Sequence, residues 1–198
     1  MMWMCRWIVR LGSGRLKIGG AAVLLASLTL GLAGCRSSNQ EPMPADEARF
    51  ISTVNSFISD YNSAANTLVK SSLRATRGDK LRKAMPDLNF TGWVGTLKDV
   101  TTTPTGDTAI AIQLPGSNIT VRTLNKSFAD ITSHTLIARD SPLAGRVSAL
   151  SKGDKINFDG GFVLDGIDWI KEVSANELDS MTKPEYLVQF KDVTKKSQ

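Results

Sequence analysis

The pattern of apolar and polar positions divides the chain into three regimes. Residues 18–32 are predominantly apolar, with Ala-Ala-Val-Leu-Leu-Ala at 21–26 followed by Leu28, Leu30 and Leu32. Residues 44–73 carry a stripe at Phe50, Val54, Phe57, Tyr61, Ala64 and Leu68, a 4-3-4-3-4 spacing that Ile58 and Ala65 widen. That period predicts one amphipathic helix with a polar outer face. Pro44 suits its first turn, and Asp46 and Glu47 sit at the positive end of its dipole. From residue 88 the period shortens to two, the period of a half-buried strand.

Strands are expected over 90–100, 108–114, 119–124, 155–163, 168–173 and 184–193. Trp93, Gly95 and Leu97 share a face of the first, and Tyr186, Val188 and Phe190 a face of the last. Gly95 marks a bend and Gly160-Gly161 a bulge or bend. Ser141-Pro142 reads as the N-cap and first residue of a short helix with Leu143, Val147 and Leu150 inward. Residues 177–183 read as a polar connection. The expected fold class is α+β: an N-terminal amphipathic helix, then a small five-stranded barrel with a short helix between strands three and four. That strand order is the order of an OB fold. Gly92-Trp-Val-Gly-Thr-Leu97, Leu150-Ser-Lys-Gly-Asp-Lys-Ile-Asn-Phe158 and Ser180-Met-Thr-Lys-Pro-Glu-Tyr-Leu-Val-Gln-Phe190 resemble the small bacterial OB-fold domains near the anticodon-binding-like families. The resemblance covers roughly residues 88–194 and implies a barrel; it brings no ligand-contacting motif.

The apolar run at 18–32 is about fifteen residues, short of the roughly 20 of a membrane-spanning helix. Arg6, Arg10, Arg15 and Lys17 precede it without an acid, and Leu32-Ala33-Gly34-Cys35 ends it. This tripartite order resembles the lipobox leader of bacterial lipoproteins. The resemblance implies cleavage before Cys35 and a diacylglyceryl group on its sulfur. It divides the chain into a signal peptide (1–34), a lipidated tether (35–43), a helical segment (44–86), an OB-like barrel (87–194) and a disordered tail (195–198). The eight residues after Cys35 reach about 26–29 Å at full extension. Arg36, in place of an aspartate, favours the periplasmic face of the outer membrane over the inner membrane.

Removing the leader changes the charge picture. Four of the 24 cations lie in it, which leaves 20 against 19 acids. Residues 70–83 hold Lys70, Arg74, Arg77, Lys80, Arg82 and Lys83 against Asp79 alone. A break at Gly78-Asp79 and a short helix from residue 80, capped by Asp79, are expected there. These cations either meet anionic headgroups or sit on a solvated helix end. The remainder, from residue 87, holds 12 cations and 14 acids, which argues against nucleic acid as a partner. Cys5 is lost with the leader, so no disulfide or thiol chemistry is expected.

No catalytic constellation emerges, and neither cofactor nor metal is expected. His134 is the only histidine and reads as a loop residue. Asp159, Asp165 and Asp168 beside glycines read as turn chemistry in preference to a calcium loop. Trp93, Arg122, Lys126 and Phe128 are the candidate ligand or partner face. Phe50, Val54, Phe57 and Tyr61 form a stripe that either packs on its own domain, the favoured reading, or serves as a partner or homo-oligomer seam. The function expected is that of a non-enzymatic envelope lipoprotein whose barrel binds a protein partner. A small-ligand or glycan-binding module is the alternative, and an envelope hydrolase the third reading.

Overall fold

The computed structural model describes residues 43–197. Leu32, Ala33, Gly34 and Cys35 lie outside the described residues. The fold is mixed α+β around a closed five-stranded barrel. Two helices come first, α1 (Ala45–Ser63) and α2 (Thr67–Ala84). The barrel strands are β1 (Asn89–Thr102), β2 (Thr108–Gln113), β3 (Thr120–Arg122), β4 (Lys155–Phe162) and a last strand, β7 (Glu185–Lys195). Between them lie α3 (Pro142–Ser148), a small hairpin of β5 (Leu164–Asp165) and β6 (Trp169–Ile170), and α4 (Glu177–Thr182).

The barrel closes in the order β1-β2-β3-β7-β4. All neighbours are antiparallel except β3 and β7, which run parallel. Strand β1 serves two partners: Asn89 to Thr96 pair with β4, and Thr96 to Thr102 with β2. Thr96 pairs with both, and Gly95 stands just before it. A Cβ there would stand 2.4 Å from the Ile112 Cγ2, so only glycine fits. The ladder also shifts register at Asp159/Gly160, the bulge expected at the glycine pair.

Trp93, Leu97, Ile112, Val121, Ile156, Phe158, Tyr186 and Val188 fill the barrel. α1 completes that core. Phe50 lies 4.9 Å from the Phe162 ring, 5.4 Å from Tyr186 and 5.5 Å from Trp93, centroid to centroid. Val54 joins the same cluster, while Phe57 and Tyr61 are covered by α2 cations, Lys80 at 4.6 Å and Lys70 at 4.7 Å from their ring centres. The four stripe side chains are therefore buried within the chain, the packing favoured from the sequence. The helical segment and the barrel share one core, so the boundary expected at 86/87 separates no independent units.

Four expectations on local structure are corrected. The single helix over 44–73 is two: α1 stops at Ser63, and Asn66 caps α2 by accepting from the Val69 N–H at 3.1 Å. Leu68, assigned to the stripe, stands on α2 and is exposed. No break occurs at Gly78-Asp79. α2 runs through Gly78 because a close approach needs it: a Cβ would lie 2.4 Å from the Ile167 carbonyl oxygen. The polar connection at 177–183 is helix α4, capped by the Asn176 side chain on the Asp179 N–H at 2.9 Å. The tail expected at 195–198 is in part sheet, for β7 reaches Lys195 and the Lys196 N–H donates to the Lys155 carbonyl at 2.9 Å. The cap at Ser141, with Pro142 as first helical residue, is as expected.

Candidate functional site

A cleft of about 440 Å³ opens on the outer surface of β1, β2 and β3, walled on its far side by α4 and the start of β7. Pairing creates it. Gln113 stands opposite Thr120, and Thr120 opposite Glu185. These registers carry Lys98, Gln113, Thr120, Arg122 and Glu185 to one wall. The Lys98 Nζ donates to the Thr120 Oγ1 at 3.2 Å. The Arg122 Nη1 donates to the Glu185 Oε2 at 2.6 Å, and its Nε to the Thr123 carbonyl at 3.1 Å. α4 brings Lys183 and Asp179 to the opposite wall. The Ser174 Oγ accepts from the Glu185 N–H at 3.1 Å and fixes the connection between α4 and β7.

Among the described residues, Lys98 and Lys183 meet no carboxylate, whereas Arg122 is matched by Glu185. No aromatic side chain lines the cleft. Its lining sets Lys98, Arg122 and Lys183 beside Asp179 and Glu185, without the ring platforms that stack bases or sugars.

Of the predicted face, only Arg122 lines this cleft. Trp93 is fully buried, with its Nε1–H donating to the Asp46 Oδ2 at 2.9 Å; it is barrel core and cannot meet a ligand. Lys126 and Phe128 stand apart on a 3-10 turn, Ser127–Ala129, with the Lys126 Nζ 5.9 Å from the exposed Phe128 ring. Lys98, Lys183 and Glu185 were not foreseen. Alternation marks Lys98 and Arg122 as outward on their own strands, but adjacency of those strands is not legible from spacing. The Asn-Glu-Leu-Asp run at 176–179 is an N-terminal helix signal that would have located α4.

The basic segment is used in the fold. Arg77 is buried, and its Nη1 donates to the Ser180 carbonyl at 2.9 Å and the Ser180 Oγ at 2.8 Å. Its Nη2 meets the Asp168 Oδ2 at 3.3 Å and the Glu172 Oε2 at 3.6 Å. Arg74 pairs with the same Asp168. Burial pushes the Asp168 carboxyl up, but the two guanidiniums outweigh it and hold its pKa below the usual value. Arg82 covers the Trp169 ring at 5.0 Å. Burial also raises the Tyr186 phenol far above its ordinary range.

Of the aspartates beside glycines, Asp165 and Asp159 anchor backbone N–H groups, whereas the Asp168 carboxylate, expected as turn chemistry, is held by Arg74 and Arg77. The Asp165 Oδ1 accepts from the Ile167 and Asp168 N–H groups, each at 2.8 Å, and the Asp159 Oδ1 from the Gly92 N–H at 2.7 Å. His134 is exposed in a turn at φ 46°. Among the described residues no cluster of three metal-ligating side chains occurs, and no helix is long and apolar enough to cross a membrane.

One further ionisable group is buried. Glu47, in the first turn of α1, is fully buried. Its Oε2 accepts from the Val94 N–H at 3.0 Å, and its Oε1 has no partner. Desolvation raises its pKa to about 7, assisted by Asp46 and opposed by the Val94 N–H and Lys196.

No protein family, curated protein or solved structure matches this chain.

Proposed function

We propose that this chain is a non-enzymatic, lipid-anchored protein of the bacterial envelope whose OB-like barrel receives an acidic segment of a partner protein. The reading of Cys35 as the anchor rests on the lipobox resemblance, and Arg36 behind it favours the periplasmic face of the outer membrane. The OB reading is supported by the barrel order, the parallel β3–β7 closure and the place of α3 between β3 and β4. OB barrels bind ligands on the face of their second and third strands, and the cleft opens on that face. The observation that carries the proposal is the pair of lysines without carboxylate partners, Lys98 and Lys183, beside a satisfied Arg122–Glu185 pair. A non-aromatic cleft with three cations against two carboxylates suits a peptide with Asp or Glu better than a nucleic acid strand or a sugar ring.

A photoreactive residue placed at position 113, in the cleft wall, tests this in the native envelope. The expected product is an adduct to one protein, mapped beside acidic residues and lost in the Lys98→Glu, Lys183→Glu double variant. Failure to form any protein adduct, or an adduct indifferent to both charge reversals, overturns the proposal. A small acidic ligand is the second reading, favoured by a cleft volume inside the roughly 300–1,000 Å³ range of ligand pockets. Saturable binding of soluble acidic muropeptides to the chain, competing with the adduct, would select it. Anchoring is tested separately: Cys35→Ser should leave the leader uncleaved or the chain released from the membrane.

A further inference from the structure

A second cavity, of about 400 Å³, runs between α1 and α2 on a surface remote in sequence from the barrel cleft. Arg49, Ser52, Thr53 and Ser56 line it from α1, and Lys80 and Lys83 from α2. On each helix these positions recur every three or four residues, so they share one face. No carboxylate lines the groove. Among the described residues none of the three cations has an ion-pair partner; Lys80 lies over the Phe57 ring at 4.6 Å. Asp79, next to Lys80 in sequence, faces Arg82 at 3.7 Å, and Glu47 is buried against Val94. The Thr53 hydroxyl donates back to the Arg49 carbonyl at 2.8 Å. Ser52 and Ser56, one turn apart, are left to face the groove.

Three converging cations with two hydroxyls are the donor set for a phosphate oxyanion. The groove is also close in sequence to the expected anchor. Eight tether residues span at most about 26–29 Å, and Arg49 lies only five residues beyond Pro44, about 7.5 Å along the helix. We propose that this groove binds the phosphate of anionic phospholipid headgroups on the membrane that carries the chain. The membrane in that statement rests on the lipid-anchor reading of Cys35. The lipid tail then supplies attachment, and the groove sets which side of the domain faces the bilayer.

The core lies within residues 43–197, so a chain beginning at Arg36 carries the whole fold without the lipid. Its co-sedimentation with phosphatidylcholine vesicles, with and without phosphatidylglycerol, is the test. Binding is expected only with phosphatidylglycerol and should fall with salt. Each groove cation removed should weaken it about fivefold, so Arg49→Gln, Lys80→Gln, Lys83→Gln together should cost about a hundredfold. The charge-matched control is Lys152→Gln, Lys155→Gln, Lys195→Gln, three cations on the barrel; it should keep most of the binding. Equal loss in both triples overturns the groove, as does equal binding to neutral vesicles. Lys83→Glu alone, at an exposed position, separates misfolding from lost contact: a cooperative melt near that of the parent with lost vesicle binding supports the proposal, and a normal melt with unchanged binding opposes it. Tight binding of soluble glycerol phosphate with no vesicle preference would assign the groove to a free phosphate ester and refute the headgroup. Loss of anchoring in Cys35→Ser is independent of these arms, so the two readings fail separately.

Discussion

Glu47 makes the stability of this fold depend on pH near neutrality. Its carboxyl is fully buried, with one oxygen unpartnered and the other on the Val94 N–H. In the unfolded chain it releases its proton near 4.5, in the folded chain near 7. Between those values the folded state binds more protons than the unfolded state. Stability therefore falls as pH rises through that window and stays low above it. The gap is worth about 3 kcal/mol at about 1.36 kcal/mol per pH unit. Glu47→Gln keeps the shape and an acceptor for the Val94 N–H while removing the charge. The variant should match the parent near pH 4.5 and exceed it by up to about 3 kcal/mol at pH 8. For a domain of this size each kcal/mol moves Tm by about 2–4 °C. Thermal melts of both chains from pH 4.5 to 8.5 measure the difference, and subtraction cancels the other titrating groups. A Tm difference that does not grow with pH would refute the reasoning, because the carboxylate would then be solvated or paired in the folded state.

Arg77→Met should destabilise by about 3–5 kcal/mol in urea unfolding, because Asp168 and Glu172 keep buried charges without their cation. Phe50→Ala should cost about 3–5 kcal/mol by the same measurement, since the ring joins α1 to Trp93, Phe162 and Tyr186. Gly78→Ala raises intrinsic helix propensity yet should lower Tm, because its Cβ would lie 2.4 Å from the Ile167 carbonyl oxygen; a raised Tm would show that the β5–β6 hairpin yields. Asp168→Asn should lower stability at pH 7 and leave a shallower loss of stability on acidification, read by urea unfolding under circular dichroism from pH 7 to 3; an unchanged pH dependence would refute it. The sign follows from the depressed pKa of Asp168 in the fold, which adds stability above its unfolded pKa that disappears as pH falls through its folded pKa.

Local chemistry was legible in the sequence. The Ser141-Pro142 start of α3, the bulge at Gly160 and the outward Arg122 each depend on residues a few positions apart, where backbone geometry and a cap suffice. So did the α1 stripe, because a helix shows its buried face at a fixed period. Breaks and continuations were less legible. α2 passes through Gly78 although glycine disfavours helix, since Ile167, far along the chain, comes too close for any side chain. The indole of Trp93, a candidate ligand surface as a large aromatic, is core, packed in the barrel with its Nε1–H on Asp46 of α1. Both candidate grooves were invisible for the same reason. Lys98 and Lys183, or Arg49 and Lys83, are far apart in sequence, and charge alone carries no signal of where it lands. Strand register and helix packing decided that. They also decided that six clustered cations at 70–83 have different uses: Arg77 buried among carboxylates, Lys70 and Lys80 over aromatic rings, and Lys83 left to the surface.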